Sequence, residues 1–336
     1  MNFASDNWAG ATEAVMAAVQ RHNGGFAPGY GGDPLTKAVG QRFCEIFERE
    51  VEIFFVGTGT AANAISMAAA GRPGGLVFAT TEAHIQNDEF GATEFYSGGM
   101  KIVPVANAAG IMDPAALSAS VARHGGRFGI PAVLSLTNAT ECGTVYTPTQ
   151  VAELAAIGKA NSLTVHMDGA RFANAVAALG VSPAGITWKA GVDILSFGGT
   201  KNGCMMAEAI VVFEPGKFEH LPALRQRAGH TASKARFIAA QFEGYFEDGG
   251  WLRTAAHANA MSARLAKGLG NRLAWQSQAN EVFPILPTAI ITKLRSAGAT
   301  LHEWPADGIG PDDDCVRLVT SFATTEAEVD RLLSLL

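Results

Sequence analysis

The chain has 336 residues, 48% of them hydrophobic and 17% charged, with 38 glycines; this fits a globular enzyme and excludes both a disordered chain and a small scaffold stapled by disulfides or metal. The net charge is −6, from 25 Lys+Arg against 31 Asp+Glu, and no basic run is interleaved with aromatics, so a nucleic-acid surface is excluded and small molecules are the expected partners. At about 150 residues per domain, the length suggests about two domains.

The N-terminus, Met1-Asn2-Phe3-Ala4-Ser5-Asp6, lacks the basic and apolar regions of an export signal. Cys44, Cys142, Cys204 and Cys315 are far apart, without a CxxC pair or a histidine at metal spacing, so neither a metal site nor a disulfide framework is expected and a reducing cytoplasm is the expected location. Asp33-Pro34 reads as a helix cap and first helical residue, followed by an apolar stripe of Leu35, Val39, Phe43, Ile46 and Phe47 that should pack on a sheet edge. Residues 53–71 carry no charge, but their Gly, Thr, Asn and Ser make them too polar for a lipid-facing helix. They read as a buried strand, a glycine turn and a buried helix, and no membrane partner is expected.

From about 51 to 213, short apolar runs alternate with helical stretches: 51–56, 76–79, 101–105, 132–137, 163–167, 192–197 and 209–213. They are rich in Val, Ile, Leu and Phe without strict alternation, as in strands covered on both faces, and predict an α/β fold with a large, mostly parallel sheet. Residues 231–268 predict one or two long helices. Beyond them, strands near 282–286, 300–304 and 315–320 with helices near 288–297 and 325–335 predict an α+β C-terminal unit. The expected division is an N-terminal segment (1–30), a large domain (31–235), and linking helices with a small C-terminal domain (236–336).

In such sheets ligands bind beyond the carboxyl ends of the strands. Three ends matter together: Asp168-Gly169-Ala170-Arg171, Gly199-Thr200-Lys201-Asn202-Gly203, and Gly57-Thr58-Gly59-Thr60-Ala61-Ala62-Asn63. Lys201 at a glycine-flanked strand end is either a desolvated nucleophile toward a carbonyl or an ordinary loop lysine. Asp168 either pairs with a protonated pyridine nitrogen, caps a helix or pairs with Arg171. The Gly57–Asn63 run is a helix N-terminus suited to an anion, but lacks the nucleotide-loop Lys-Ser/Thr and the GxGxxG pattern. An aldehyde-bearing ring with one phosphate, pyridoxal 5'-phosphate, accounts for all three ends.

The strings GTGTAAN, TTEAHIQNDEFGA, VHMDGARFANA, SFGGTKNG and VRLVTSFATT resemble the low-specificity L-threonine aldolases, including their phenylserine aldolase branch. The resemblance runs over nearly the whole chain and implies the aspartate aminotransferase-like fold type I. It implies retro-aldol cleavage of threonine, allo-threonine or phenylserine-type β-hydroxy-α-amino acids to glycine and an aldehyde; β-elimination, racemisation and hydroxymethyl transfer are the rival reactions on one site, and a non-catalytic binding homologue, the other rival, would be expected to lose Lys201 or Asp168. By this resemblance Lys201 holds the cofactor as a Schiff base, Asp168 pairs with its ring nitrogen, His84 stacks on the ring, and Gly59 and Thr60 hold the phosphate. Ser5, Arg171 and Arg317 grip the substrate carboxylate. Tyr30 reaches a neighbouring subunit's site in a dimer or tetramer, and Lys234 is a loosely matched cross-subunit phosphate ligand. A histidine that the family carries after the strand at 132–137 is missing from Thr137–Gly143, which leaves His84, Glu141 or a water to accept the hydroxyl proton.

Overall fold

The computed structural model describes all 336 residues. Its centre is a seven-stranded sheet of β1 (Glu52–Val56), β2 (Gly75–Thr80), β3 (Lys101–Val105), β6 (Ile130–Thr137), β7 (Thr164–Gly169), β8 (Ile194–Gly198) and β9 (Glu208–Val212). Between β3 and β6 lies a short ribbon, β4 (Asn107–Ala108) and β5 (Ile111–Met112), which the sequence does not announce. The order across the sheet is β1-β9-β8-β7-β6-β2-β3. Only β9 runs against its neighbours, pairing antiparallel with β8 and β1. Every residue of β2, β8 and β9 is buried, which is why these strands are written in apolar runs rather than in alternation.

Register decides what meets at the carboxyl edge. Thr137 lies beside Asp168, and Asp168 beside Ser196. Because β9 is reversed, its first residue, Glu208, opposes both Gly198 and Val56 at the same edge. The helix Gly59–Ala70 starts there, capped by Thr58, whose hydroxyl accepts the Ala61 N–H at 3.1 Å. Asp33 caps the helix Pro34–Ile46 as its sequence predicts, accepting the Thr36 N–H at 2.8 Å. That helix reaches past the edge: Phe43 meets Phe197 of β8 edge-on at 5.2 Å and packs against Phe242 and Phe246.

The helices Arg236–Phe246 and Gly250–Leu269 lead out of the sheet and are separated at Asp248, whose φ is 51°. The remaining strands are β10 (Glu281–Val282), β11 (Ile285–Pro287), β12 (His302–Glu303) and β13 (Asp313–Val319), with β13 pairing antiparallel to the other three. The single strand expected at 282–286 is divided at Phe283-Pro284, since proline has no N–H for the ladder. The N-terminal segment is stitched to this unit: the Phe3 N–H donates to Thr300 at 2.9 Å, the Val319 N–H donates to Phe3 at 2.8 Å, and the Phe3 ring is wholly buried beside Leu294, Leu318 and Val329. This carries Asp6 and Asn7 back to the sheet's carboxyl edge. No helix is long and apolar enough to cross a membrane.

Candidate active site

A pocket of about 320 Å³ opens at that edge, lined by the Gly57–Thr60 turn, Asn63, His84, Asp168, Thr200, Lys201 and Glu208. Lys201 sits in a tight turn, Thr200–Asn202, and its half-buried amine forms no ion pair or hydrogen bond within the chain. The turn that presents it is braced from β9. The Gly199 N–H donates to Glu208 at 3.1 Å, and the Ala207 N–H donates to the Thr200 hydroxyl at 3.2 Å. Burial pushes the Glu208 carboxyl up to about 7, against the opposing pull of the Thr200 and Gly199 hydrogen bonds and the Lys201 charge.

Across the pocket, Asp168 is 3% exposed. One of its oxygens accepts Asn63 Nδ2–H at 2.8 Å and the other accepts the Ala170 N–H at 2.9 Å. Asn63 also donates to Glu89 Oε1 at 2.9 Å, and the same oxygen accepts His84 Nδ1–H at 2.8 Å. Burial lowers the tendency of His84 to hold a proton, but the Glu89 hydrogen bond and the Asp168 and Glu141 charges outweigh it and raise its pKa. Burial raises that of Glu89. At the third corner, the amides of Gly59 and Thr60 find no acceptor in the chain, as the first N–H groups of a helix do. The Gly57 N–H is taken by His230 Nδ1 at 3.3 Å.

The arginines lie deeper. Arg171, 4% exposed, gives Nε and Nη2 to the two oxygens of Asp6 at 2.8 and 3.1 Å, with Glu281 at 3.3 Å from Nη2 and Glu141 at 3.7 Å from Nη1. Burial opposes the Arg171 charge, but Asp6, Glu281 and Glu141 together hold it firmly protonated. Arg317, on β13, lies 3.9 Å from the same Glu281 and stacks its guanidinium 5.1 Å from the centre of the Trp304 ring, with Nε buried and unpaired.

Lys201, Asp168, His84, Gly59 and Thr60 therefore meet in one pocket. Glu141, Arg171 and Arg317 form a second, charged cluster with Asp6 and Glu281. Three expected residues are placed elsewhere. Ser5 caps the turn Asp6–Trp8, its hydroxyl accepting the Asn7 N–H at 3.1 Å, and the neighbouring Asn7 lines the pocket instead. Tyr30, 66% exposed with a φ of 59°, lines a separate cleft with Arg225 and His230. Lys234 is exposed on the surface. The strand-end rule misses Glu208 because it stands at the start of a reversed strand, Glu89 because it follows the short helix His84–Asn87 rather than a strand, and Asp6 and Glu281 because their partners are distant in sequence. Asn63 was visible as the polar end of the glycine turn, one helical turn from Gly59.

The arrangement fits pyridoxal phosphate by its donor set: an unpaired amine, a buried carboxylate with unused lone pairs opposite it, and two free amides at the N-terminus of a helix spanning Gly59–Ala70. A family model described as beta-eliminating lyase matches residues 2–283. A low specificity L-threonine aldolase of Pseudomonas sp. (strain NCIMB 10558) is 38% identical over 98% of this chain and 95% of its own. Another, of Pseudomonas aeruginosa, is 40% identical over 91% of this chain and 90% of its own. The solved threonine aldolase of Leishmania major superposes with a TM-score of 0.92 at 29% identity, covering 99% of this chain and 97% of that one, so the expected fold type I is the fold observed. The chain belongs to the beta-eliminating lyase family and, within it, to the low-specificity L-threonine aldolases.

Proposed function

We propose that this lyase uses pyridoxal phosphate to cleave β-hydroxy-α-amino acids of the L-threonine type, including allo-threonine and phenylserine, to glycine and an aldehyde. One observation carries the reading: an unpaired Lys201 amine and an Asp168 carboxylate, locked by Asn63, line the same pocket as the free amides of Gly59 and Thr60. The cofactor supplies an electron sink for the pair of electrons left when a bond to the substrate Cα breaks.

The residues of the chain do the rest. Lys201 attaches the cofactor, Asp168 keeps its ring nitrogen protonated, and Gly59 and Thr60 donate to its phosphate. Asn63 prevents Asp168 from rotating, and Glu89 fixes His84 so that Nδ1 is the donor and Nε2 the ring nitrogen left to face ring and substrate. His84 is then placed to receive the β-hydroxyl proton; Glu141, in contact with Arg171 rather than lining the pocket, is the second candidate. Arg317, together with the Arg171 Nη1 that Asp6 leaves unbonded, holds the substrate carboxylate and so selects which Cα bond is cleaved.

Exposed Tyr30, Phe90, Met205 and Met206, the last on the pocket itself, favour self-association as a dimer or tetramer. Tyr30 and Lys234 would then complete the partner's site. All four cysteines are free thiols, in keeping with a cytoplasmic location. The test is the visible spectrum of purified protein followed by product analysis with threonine and phenylserine. Glycine with acetaldehyde or benzaldehyde is expected; ammonia with a 2-oxo acid would point to elimination instead.

A further inference from the structure

We propose that Glu281 is a proton-taking counter-ion of the carboxylate site: when a substrate carboxylate settles on Arg317 and Arg171, Glu281 takes up one proton from solvent and releases it when the ligand leaves. This deepens the reading of those two arginines as the carboxylate clamp and rests on it.

Glu281 opens β10, two residues' width from Arg317 on β13, and is 0% exposed. It is the carboxylate shared by the two arginines, 3.3 Å from Arg171 and 3.9 Å from Arg317. Neither of its oxygens has a hydrogen bond, whereas Asp6 is held by Arg171 and Asn280. The charged groups around it come from four parts of the chain: Asp6 from the N-terminal turn, Glu141 beside the thiol Cys142 after β6, Arg171 after β7, and Arg317 on β13.

Two guanidinium groups thus face three acids. With Glu281 ionised the cluster carries one surplus negative charge; with Glu281 protonated it is neutral. A ligand carboxylate makes a fourth acid, so the surplus becomes two or one. Lys201 acts on this cluster through Asp6, but neither arginine gains charge when the ligand arrives, and the fully buried acid with no hydrogen bonds of its own is the one that yields. Burial already pushes the Glu281 carboxyl up to about 7, with Glu141 and Asp6 adding to it against the pull of both arginines. Binding linked to proton uptake weakens as pH rises, by up to about tenfold per pH unit once free Glu281 is ionised.

The test uses holoenzyme and 3-hydroxybutanoate, a carboxylate with a β-hydroxyl and no amine, so that neither the cofactor bond nor a ligand ammonium adds protons. Calorimetric titration near pH 8 in buffers of different ionisation enthalpy should show uptake of roughly half a proton or more per site. Glu281→Gln, which keeps the shape and the burial, should bring uptake close to zero and make affinity independent of pH. Should that variant fail to fold, the fall in affinity between about pH 6.5 and 8.5 is read in His84→Phe, which removes the other group in the pocket with a raised pKa; persistence of the fall supports Glu281, and its disappearance overturns the proposal. Binding that Arg317→Gln abolishes, but with no proton uptake and no pH dependence in the wild type, overturns the role of Glu281 and leaves the clamp standing. Binding indifferent to Arg317→Gln, or none at tens of millimolar, overturns the clamp and the role of Glu281 with it.

Discussion

The pocket around Lys201 and the charged cluster around Arg171 and Arg317, its arginine end, are built by opposite rules. At the Lys201 end the polar groups stand at strand ends and on the helix or turn that follows, fixed by hydrogen bonds among Asp168, Asn63, Glu89 and His84, while the lysine and two amides are left free. At the arginine end the charges come from segments up to 311 residues apart, Asp6 and Arg317, and are largely spent on one another. The first end holds donors ready for a ligand. The second holds charge in reserve, which a ligand must redistribute.

The comparison breaks most visibly at its free end. Lys201→Ala should lose covalent attachment and about 10⁴-fold or more of the cleavage rate. Borohydride reduction and peptide mapping of the parent should place the pyridoxyl group on Lys201; a label on Lys234 or Lys217 would remove the basis for the comparison. Asp168→Asn should retain the cofactor yet slow cleavage by about 10²–10³-fold, the range for removing one preorganised electrostatic partner. Asn63→Ala, which unlocks Asp168 without removing it, should fall between that variant and the parent in kcat.

Beneath this end lies a group that links it to pH. His166 is 0% exposed, with Ser135 and Ser196 at 2.9 and 3.0 Å from its two ring nitrogens, and burial pushes it down to about 4 from an ordinary 6.5, against the attraction of Asp168. The native state thus holds His166 neutral while the unfolded chain protonates it. Its stabilising contribution is complete above about pH 6.5 and is lost as pH falls toward 4, by about 3 kcal/mol in all. Urea midpoints measured across that window should show the loss, and His166→Gln should flatten it.

At the arginine end, Arg317→Lys keeps the charge but not the planar fork, and should cost about 1.5–3 kcal/mol of transition-state binding, roughly ten- to 150-fold in kcat/KM. Side reactions at Cα should rise with it. Lower melting temperature with unchanged glycine affinity would make Arg317 a purely structural partner.

Legibility in the sequence follows the same divide. The strands are legible because burial on both faces writes them in unbroken apolar runs, and Lys201 and Asp168 because they stand where such runs end. Reversal of β9 hides Glu208, since the rule looks after strands and Glu208 stands before one. The small unit is less legible: its strands are two to seven residues long, and Pro284 divides one of them. Arg171 and Arg317 could be named only by resemblance, and their partners not at all, because an ion pair between residues 6 and 171 leaves no local pattern. Ser5 was expected on the ligand; it caps the turn Asp6–Trp8, and Asn7, two residues on, lines the pocket.

The smallest effect expected tests what aligns Arg317. Its ion pair with Glu281 is long, 3.9 Å, and its Nε has no partner, so orientation falls to the strand and to the Trp304 face 5.1 Å away. The Trp304 ring is itself held by Phe283, edge-on at 5.3 Å, and its backbone N–H donates to the Cys315 carbonyl at 2.9 Å. A cation–π contact of this partly exposed kind is worth about 1 kcal/mol. Trp304→Ala should therefore raise KM for threonine roughly fivefold, with kcat nearly unchanged, while Trp304→Phe should restore most of the loss, because a flat face remains. If neither variant moves KM or glycine affinity, the backbone alone aligns Arg317, and the arginine end is more rigid than its sparse contacts imply. If Trp304→Ala instead lowers kcat at constant KM, the stack acts only in the transition state, and the clamp tightens during the reaction rather than on binding.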